Sequence, residues 1–171
     1  CFPKIAWRIK SFGSIRSFPL MIDSPKRSKK IICYFTQSNS GNSNSYAMNF
    51  LVIEKLIAYC SLSATYELKI KLHPRDSIKP YLKRFRGIKS KVLSFASSVE
   101  TLCNIDIAVT LPSAIVLESL IYNRTLILLK LSNSPDLANY PYWDNSYIGC
   151  IENISDIGFF LDSDYKDFYR D

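Results

Sequence analysis

Histidine is nearly absent from this chain: His73 is the only one in 171 residues. One imidazole leaves no material for a multi-histidine metal centre, and any Ser–His nucleophile pair would have to use position 73. No apolar run reaches the roughly 18 residues that a membrane-crossing helix needs. The first residues also lack the basic start, apolar middle and small-residue cleavage site of a signal peptide. The five cysteines, Cys1, Cys33, Cys60, Cys103 and Cys150, are widely spread and form no C-x-x-C pair. That argues against zinc and against a disulfide scaffold, and fits the reduced thiols of a cytoplasmic protein. Neither G-x-x-x-x-G-K-[ST] nor G-x-G-x-x-G occurs, which disfavours a P-loop nucleotidase or a dinucleotide dehydrogenase.

What is present is an ordinary globular balance, 47% hydrophobic and 22% charged, in a length that suits one core. The net charge of +7 is unevenly placed: residues 1–30 carry +7, 31–151 carry +4 and 152–171 carry −4. A second basic cluster, Lys79, Lys83, Arg84, Arg86, Lys89 and Lys91, contains no acid. Such a run is most simply a solvated helix face, although anionic lipid or nucleic acid is the other partner it could serve. The chain opens on Cys1 and stops inside a charged stretch, so it reads as a piece of a longer polypeptide.

Residues 1–28 mix aromatic and basic side chains without a period and read as a linker or the end of a preceding domain. From Lys29 the pattern is regular. Residues 30–36 are β-rich and nearly all apolar, as expected of a strand covered on both faces. A polar loop, 37–44, precedes a helix expected over about 45–62, where Phe50, Ile53, Leu56 and Ile57 recur at helical spacing. Further strands are expected at 66–72, 92–95, 107–110 and 125–129. Helices are expected at 76–88, broken near Pro80, and at 97–104 and 114–123. Ser97 and Ser98 are candidate caps for the second of these, with Glu100 in its first turn.

Strand and helix alternating through short connections predict an α/β fold with a parallel sheet flanked by helices. The expected domain spans 29–150, followed by an acidic helix or tail over 151–171.

In such a fold the carboxyl ends of the strands meet at one edge, where nucleotides bind. His73-Pro74 ends one strand, and Pro112-Ser113 follows another. An imidazole there can donate to a phosphate oxygen, or as a cation neutralise a leaving phosphate; the plainer alternative is a histidine bonding a nearby carbonyl. Ser113 is placed as a helix N-cap, a role compatible with holding an anion. Glu118 sits in an otherwise apolar helix and is either exposed or in need of a partner such as a ribose hydroxyl. The loop after the first strand, from Thr36, Gln37 and Ser38 onward, occupies the place of a phosphate- or sugar-binding turn, though ordinary loop chemistry explains it equally well.

The segments Lys71-Leu72-His73-Pro74-Arg75-Asp76, Asp106 to Ser113 and Leu117-Glu118-Ser119-Leu120 resemble the C-terminal half of GT-B glycosyltransferases. The similarity is to bacterial sialyl- and polysialyltransferases and related capsule enzymes, including CDP-glycerol glycerophosphotransferases, and covers roughly residues 29–131. It implies a Rossmann-like half of a GT-B fold that binds a nucleotide-sugar donor, a CMP-sugar, without metal or other cofactor. His73 would contact the donor phosphate and stabilise the leaving CMP, with Pro74 fixing the turn. Pro112 and Ser113 would hold the same phosphate, Glu118 would engage the ribose or brace the site, and Thr36, Gln37 and Ser38 would border the sugar.

In such enzymes the base that activates the acceptor usually comes from an N-terminal half. No counterpart of that half is found here, so catalysis is expected to need it. The expected partners are the donor, a glycan acceptor, the missing half and, peripherally, the anionic inner face of the cell membrane. Nucleic acid is not expected. Two other readings stay open: a non-catalytic remnant or binding module of the same fold, and a basic membrane- or nucleic-acid-binding domain.

Overall fold

Among the described residues six strands form a single sheet in the order β3-β2-β1-β4-β5-β6, every pairing parallel. A computed structural model describes residues 27–38, 43–93, 96–131 and 149–162. In chain order the elements are β1 (Lys30–Phe35), α1 (Ser43–Leu62), β2 (Tyr66–Lys71), α2 (Lys79–Arg84), β3 (Val92–Leu93), α3 (Ser98–Cys103), β4 (Ile107–Thr110), α4 (Ile115–Ile121), β5 (Thr125–Leu129), β6 (Gly149–Ile151) and α5 (Ile157–Asp162). Short 3-10 turns precede β3 and α5.

The near-continuous apolar run of β1 has the expected cause. Ile32 and Tyr34 face one layer, with Val52, Ile53 and Leu56 of α1, Tyr81 of α2, and Ile157 and Leu161 of α5. Ile31, Cys33 and Phe35 face the other, with Leu102 of α3 and Val116 of α4. Both faces of the sheet are therefore dry, and each fully buried Leu or Ile contributes roughly 1.5–3 kcal/mol. The strand order reverses between β1 and β4, the doubly wound arrangement of a Rossmann-like α/β fold.

Register decides where the site lies. Phe35, the last residue of β1, pairs with Lys71 of β2 on one side and Thr110 of β4 on the other. Three central strands thus end level, and the residues after them emerge together on one rim. At the opposite rim, Asp106 ties β4 to β1: its carboxylate accepts from Ile31 N at 2.7 Å, and its own N–H donates to Ile31 O.

Several boundaries differ from the sequence reading, each for a physical reason. Pro80 does not break a helix over 76–88. It lies in the first turn of the shorter α2, where its missing N–H is not needed. Ser97 caps α3 as expected, its hydroxyl accepting from Glu100 N at 3.0 Å. The third strand is seen as Val92–Leu93, and the rest of its expected span lies outside the described residues. β6 was not expected, and packing does not stop at residue 150: Ile151, Ile154, Ile157 and Leu161 are buried in the first layer. The linker expected over 1–28 lies outside the described residues but for its last two.

Among the described residues no helix is long and apolar enough to cross a membrane. Cys33, Cys60, Cys103 and Cys150 are free thiols. The cations of the second basic cluster are exposed on and after α2, with Lys91 half-buried, which is the solvated face that composition suggests.

Candidate functional site

The level ends of β1, β2 and β4 open onto a cleft of about 490 Å³ at the point where the strand order reverses. That volume falls within the range of small-molecule sites. All eight residues singled out from the sequence line it: Thr36, Gln37, Ser38, His73, Pro74, Pro112, Ser113 and Glu118. The lone imidazole and the hydroxyl beyond β4 therefore share one rim.

Thr36 is buried and acts first as a brace. Its N–H donates to Lys71 O, and its hydroxyl oxygen accepts from His73 N at 2.9 Å. The chain leaving β2 is thereby tied to the chain leaving β1. The His73 ring is oriented by the next turn, because Arg75 N donates to Nδ1 at 3.2 Å. An Nδ1 that accepts leaves the proton of the neutral ring on Nε2, as a donor. Among the described residues it is a backbone N–H, not a carbonyl, that holds this side chain.

Gln37 spans the reversal point, its amide Nε2 donating to Pro112 O at 3.0 Å. Behind it lies the fully buried Asn49 of α1. The Asn49 amide oxygen accepts from Tyr34 Oη at 2.8 Å and from Gln37 N at 3.3 Å, and its nitrogen donates to Gln37 O and Tyr81 Oη. This network, which sequence reasoning missed, sets the backbone at the cleft's edge.

Ser113 differs from its expected role. Ala114, not Ser113, occupies the position before α4, and Ala114 makes no side-chain cap bond. The Ser113 hydroxyl instead lies 3.1 Å from Thr110 Oγ1, which also contacts Leu111 O. Ser113 itself lines the cleft.

Glu118 is half-buried on the cleft wall, and its Oε2 has no hydrogen-bond partner among the described residues. Desolvation raises its carboxyl above the ordinary range. The folded state then holds the proton more tightly than the unfolded chain. Stability consequently falls as pH rises from the unfolded value through the folded one. Glu118→Gln is expected to be neutral near pH 4 and to stabilise the empty protein by about 1 kcal/mol near pH 8. Urea midpoints at the two pH values check this; equal midpoints at pH 8 would mean the carboxylate is solvated.

Two polar lining residues were not foreseen as site groups, Ser98 at the start of α3 and Lys71 at the end of β2. Lys71 shares its strand face with Glu67 and Lys69, a period-2 signal that places all three on one side. Nothing in that period shows that the last of them is buried. Among the described residues no group of His, Cys, Asp or Glu side chains is arranged to hold a metal ion.

No model of a protein family matches the sequence, and no curated protein matches it. A solved structure similar to the chain is Thermosulfurimonas dismutans KpsC, beta Kdo 2,4 transferase, at 20% identity and a TM-score of 0.44. The likeness covers 67% of this chain and 38% of that one, so the chain spans well under half of its length.

Proposed function

We propose that the chain is the donor-binding half of an inverting glycosyltransferase of surface polysaccharide synthesis, taking a CMP-sugar into the cleft after β1, β2 and β4. The observation that carries this reading is that His73 and Ser113 line one cleft at the strand-order reversal. Such crevices are where doubly wound sheets hold nucleotides.

In this reading the donor phosphate sits between His73 and Ser113. The Glu118 carboxylate accepts from ribose hydroxyls, which supplies the partner that its buried oxygen lacks. The sugar lies beside Thr36, Gln37 and Ser38. An acceptor hydroxyl of the glycan attacks the anomeric carbon, the glycosidic C–O bond to phosphate breaks, and His73 donates from Nε2 to the departing phosphate oxygen. Among the described residues Glu118 is the sole carboxylate on the cleft wall, so the base that takes the acceptor's proton belongs to another segment or chain.

Nuclear magnetic resonance titration of the full chain with CMP, a UDP-sugar and CDP-glycerol tests the proposal. CMP is expected to move the resonances of His73, Ser113 and Glu118 first. Silence with all three ligands would leave a non-catalytic module of the same fold.

A further inference from the structure

Lys71 is a cation held where cations are rarely held. It is 8% exposed, it lines the cleft, and its ammonium donates to one protein acceptor, Leu72 O at 3.3 Å. No carboxylate is shown paired with it among the described residues, where Lys69–Glu67, Arg84–Glu54 and Lys130–Glu152 are ion pairs. An ammonium carries three N–H donors, and burying it without a counter-charge is costly. Cys33, buried on the same face, offers no counter-charge, because burial pushes that thiol well up, toward the neutral form. Lys71 ends β2, and His73 follows two residues later. Both line the one cleft, Lys71 buried and His73 half-exposed.

We infer that Lys71 is the anchor for a second anionic group of the ligand, deeper than the phosphate held by His73 and Ser113. This inference rests on the donor-binding reading above and narrows it. The ligand class becomes a nucleotide with two separated anionic groups, the second being either the carboxylate of an acidic sugar or a second phosphate. A neutral sugar on a monophosphate would leave the Lys71 donors unmet. The desolvated site strengthens the pairing, because charge-assisted hydrogen bonds gain where water is excluded.

The test compares the full chain with its Lys71→Met and Lys71→Arg variants in calorimetric titrations with CMP, CDP and CMP-N-acetylneuraminic acid. The wild-type chain is expected to bind at least one of the two compounds that carry a second anionic group tenfold or more tighter than CMP. A gain for CDP identifies a phosphate, and a gain for the sialic acid donor identifies a carboxylate. Lys71→Met should abolish the gain while leaving CMP affinity within about twofold, and Lys71→Arg should keep most of it. The inference is overturned if neither compound gains, if the gain survives in Lys71→Met, or if CMP affinity falls equally.

A merely structural lysine predicts a lower melting temperature for empty Lys71→Met. A ligand anchor predicts none, since a buried unpaired charge replaced by an apolar group of similar shape is neutral or stabilising. Lys71→Gln substitutes if the Met variant does not fold. If the wild-type chain binds no nucleotide, the donor-binding reading fails, and inorganic pyrophosphate then decides the status of Lys71 alone. Thermal stabilisation by pyrophosphate that Lys71→Met loses would sustain the anion site; equal stabilisation, or none in either, would end it.

Discussion

Asn49→Ala is expected to destabilise the chain by about 3 kcal/mol and to weaken nucleotide binding at the same time. The stability loss follows from what the amide holds. With Asn49 gone, the buried Tyr34 hydroxyl, the Tyr81 hydroxyl and both backbone groups of Gln37 each lose a partner. A buried polar group left unsatisfied costs about 1–3 kcal/mol, and partial access of water at the cleft edge lowers the sum. The binding loss follows from position, since Gln37 bridges to Pro112 across the strand-order reversal. Urea midpoints report the first effect and CMP titration the second. A stability loss under about 1 kcal/mol would show that neighbouring groups or water replace the amide. Unchanged CMP affinity in a destabilised variant would detach Gln37 from the ligand.

His73→Ala is expected to lower turnover more than tenfold in the protein that carries this chain, with little change in stability. The side chain is half-exposed, and its ring makes one hydrogen bond to the protein, with Arg75 N, so folding loses little. A donor aimed at a leaving phosphate oxygen strengthens as charge develops there, and losing one such donor is worth a few kcal/mol of barrier. The effect should fall on kcat more than on KM, because the ground-state phosphate keeps Ser113. Single-turnover rates with saturating donor separate the two. Turnover within twofold of wild type would remove His73 from the chemistry and leave it a turn residue.

The candidate site was legible in proportion to how local its signals are. His73-Pro74 and Pro112-Ser113 stand at strand ends recognisable from alternation and turn residues, and the structure brings them to one cleft. The role of Ser113 was less legible: capping was the simplest reading of serine before an apolar helix. In the fold its hydroxyl lies by Thr110, a residue of the preceding strand. Arg124 shows the same limit. In the structure it is buried, its Nε donating to Leu102 O at 2.7 Å and another guanidinium nitrogen contacting Cys103 O, carbonyls at the end of α3. A polar group's burial depends on what distant segments lay over it, and a local pattern carries no record of that.

What the residues alone determined is the architecture's class: apolar runs of strand length separated by helical periods through short links permit little but a parallel α/β sheet, because right-handed crossovers are the only economical way to join them. Tertiary structure alone decided the strand order, the sixth strand and the level ends of β1, β2 and β4. Those depend on which edges pair and in which register, and a strand as short as Gly149–Ile151 has no period of its own to announce it. Tertiary structure also decided which polar side chains are enclosed. Lys71 and Asn49 look like any surface lysine and helix asparagine until helices from both sides close over the sheet and remove the water that would otherwise solvate them.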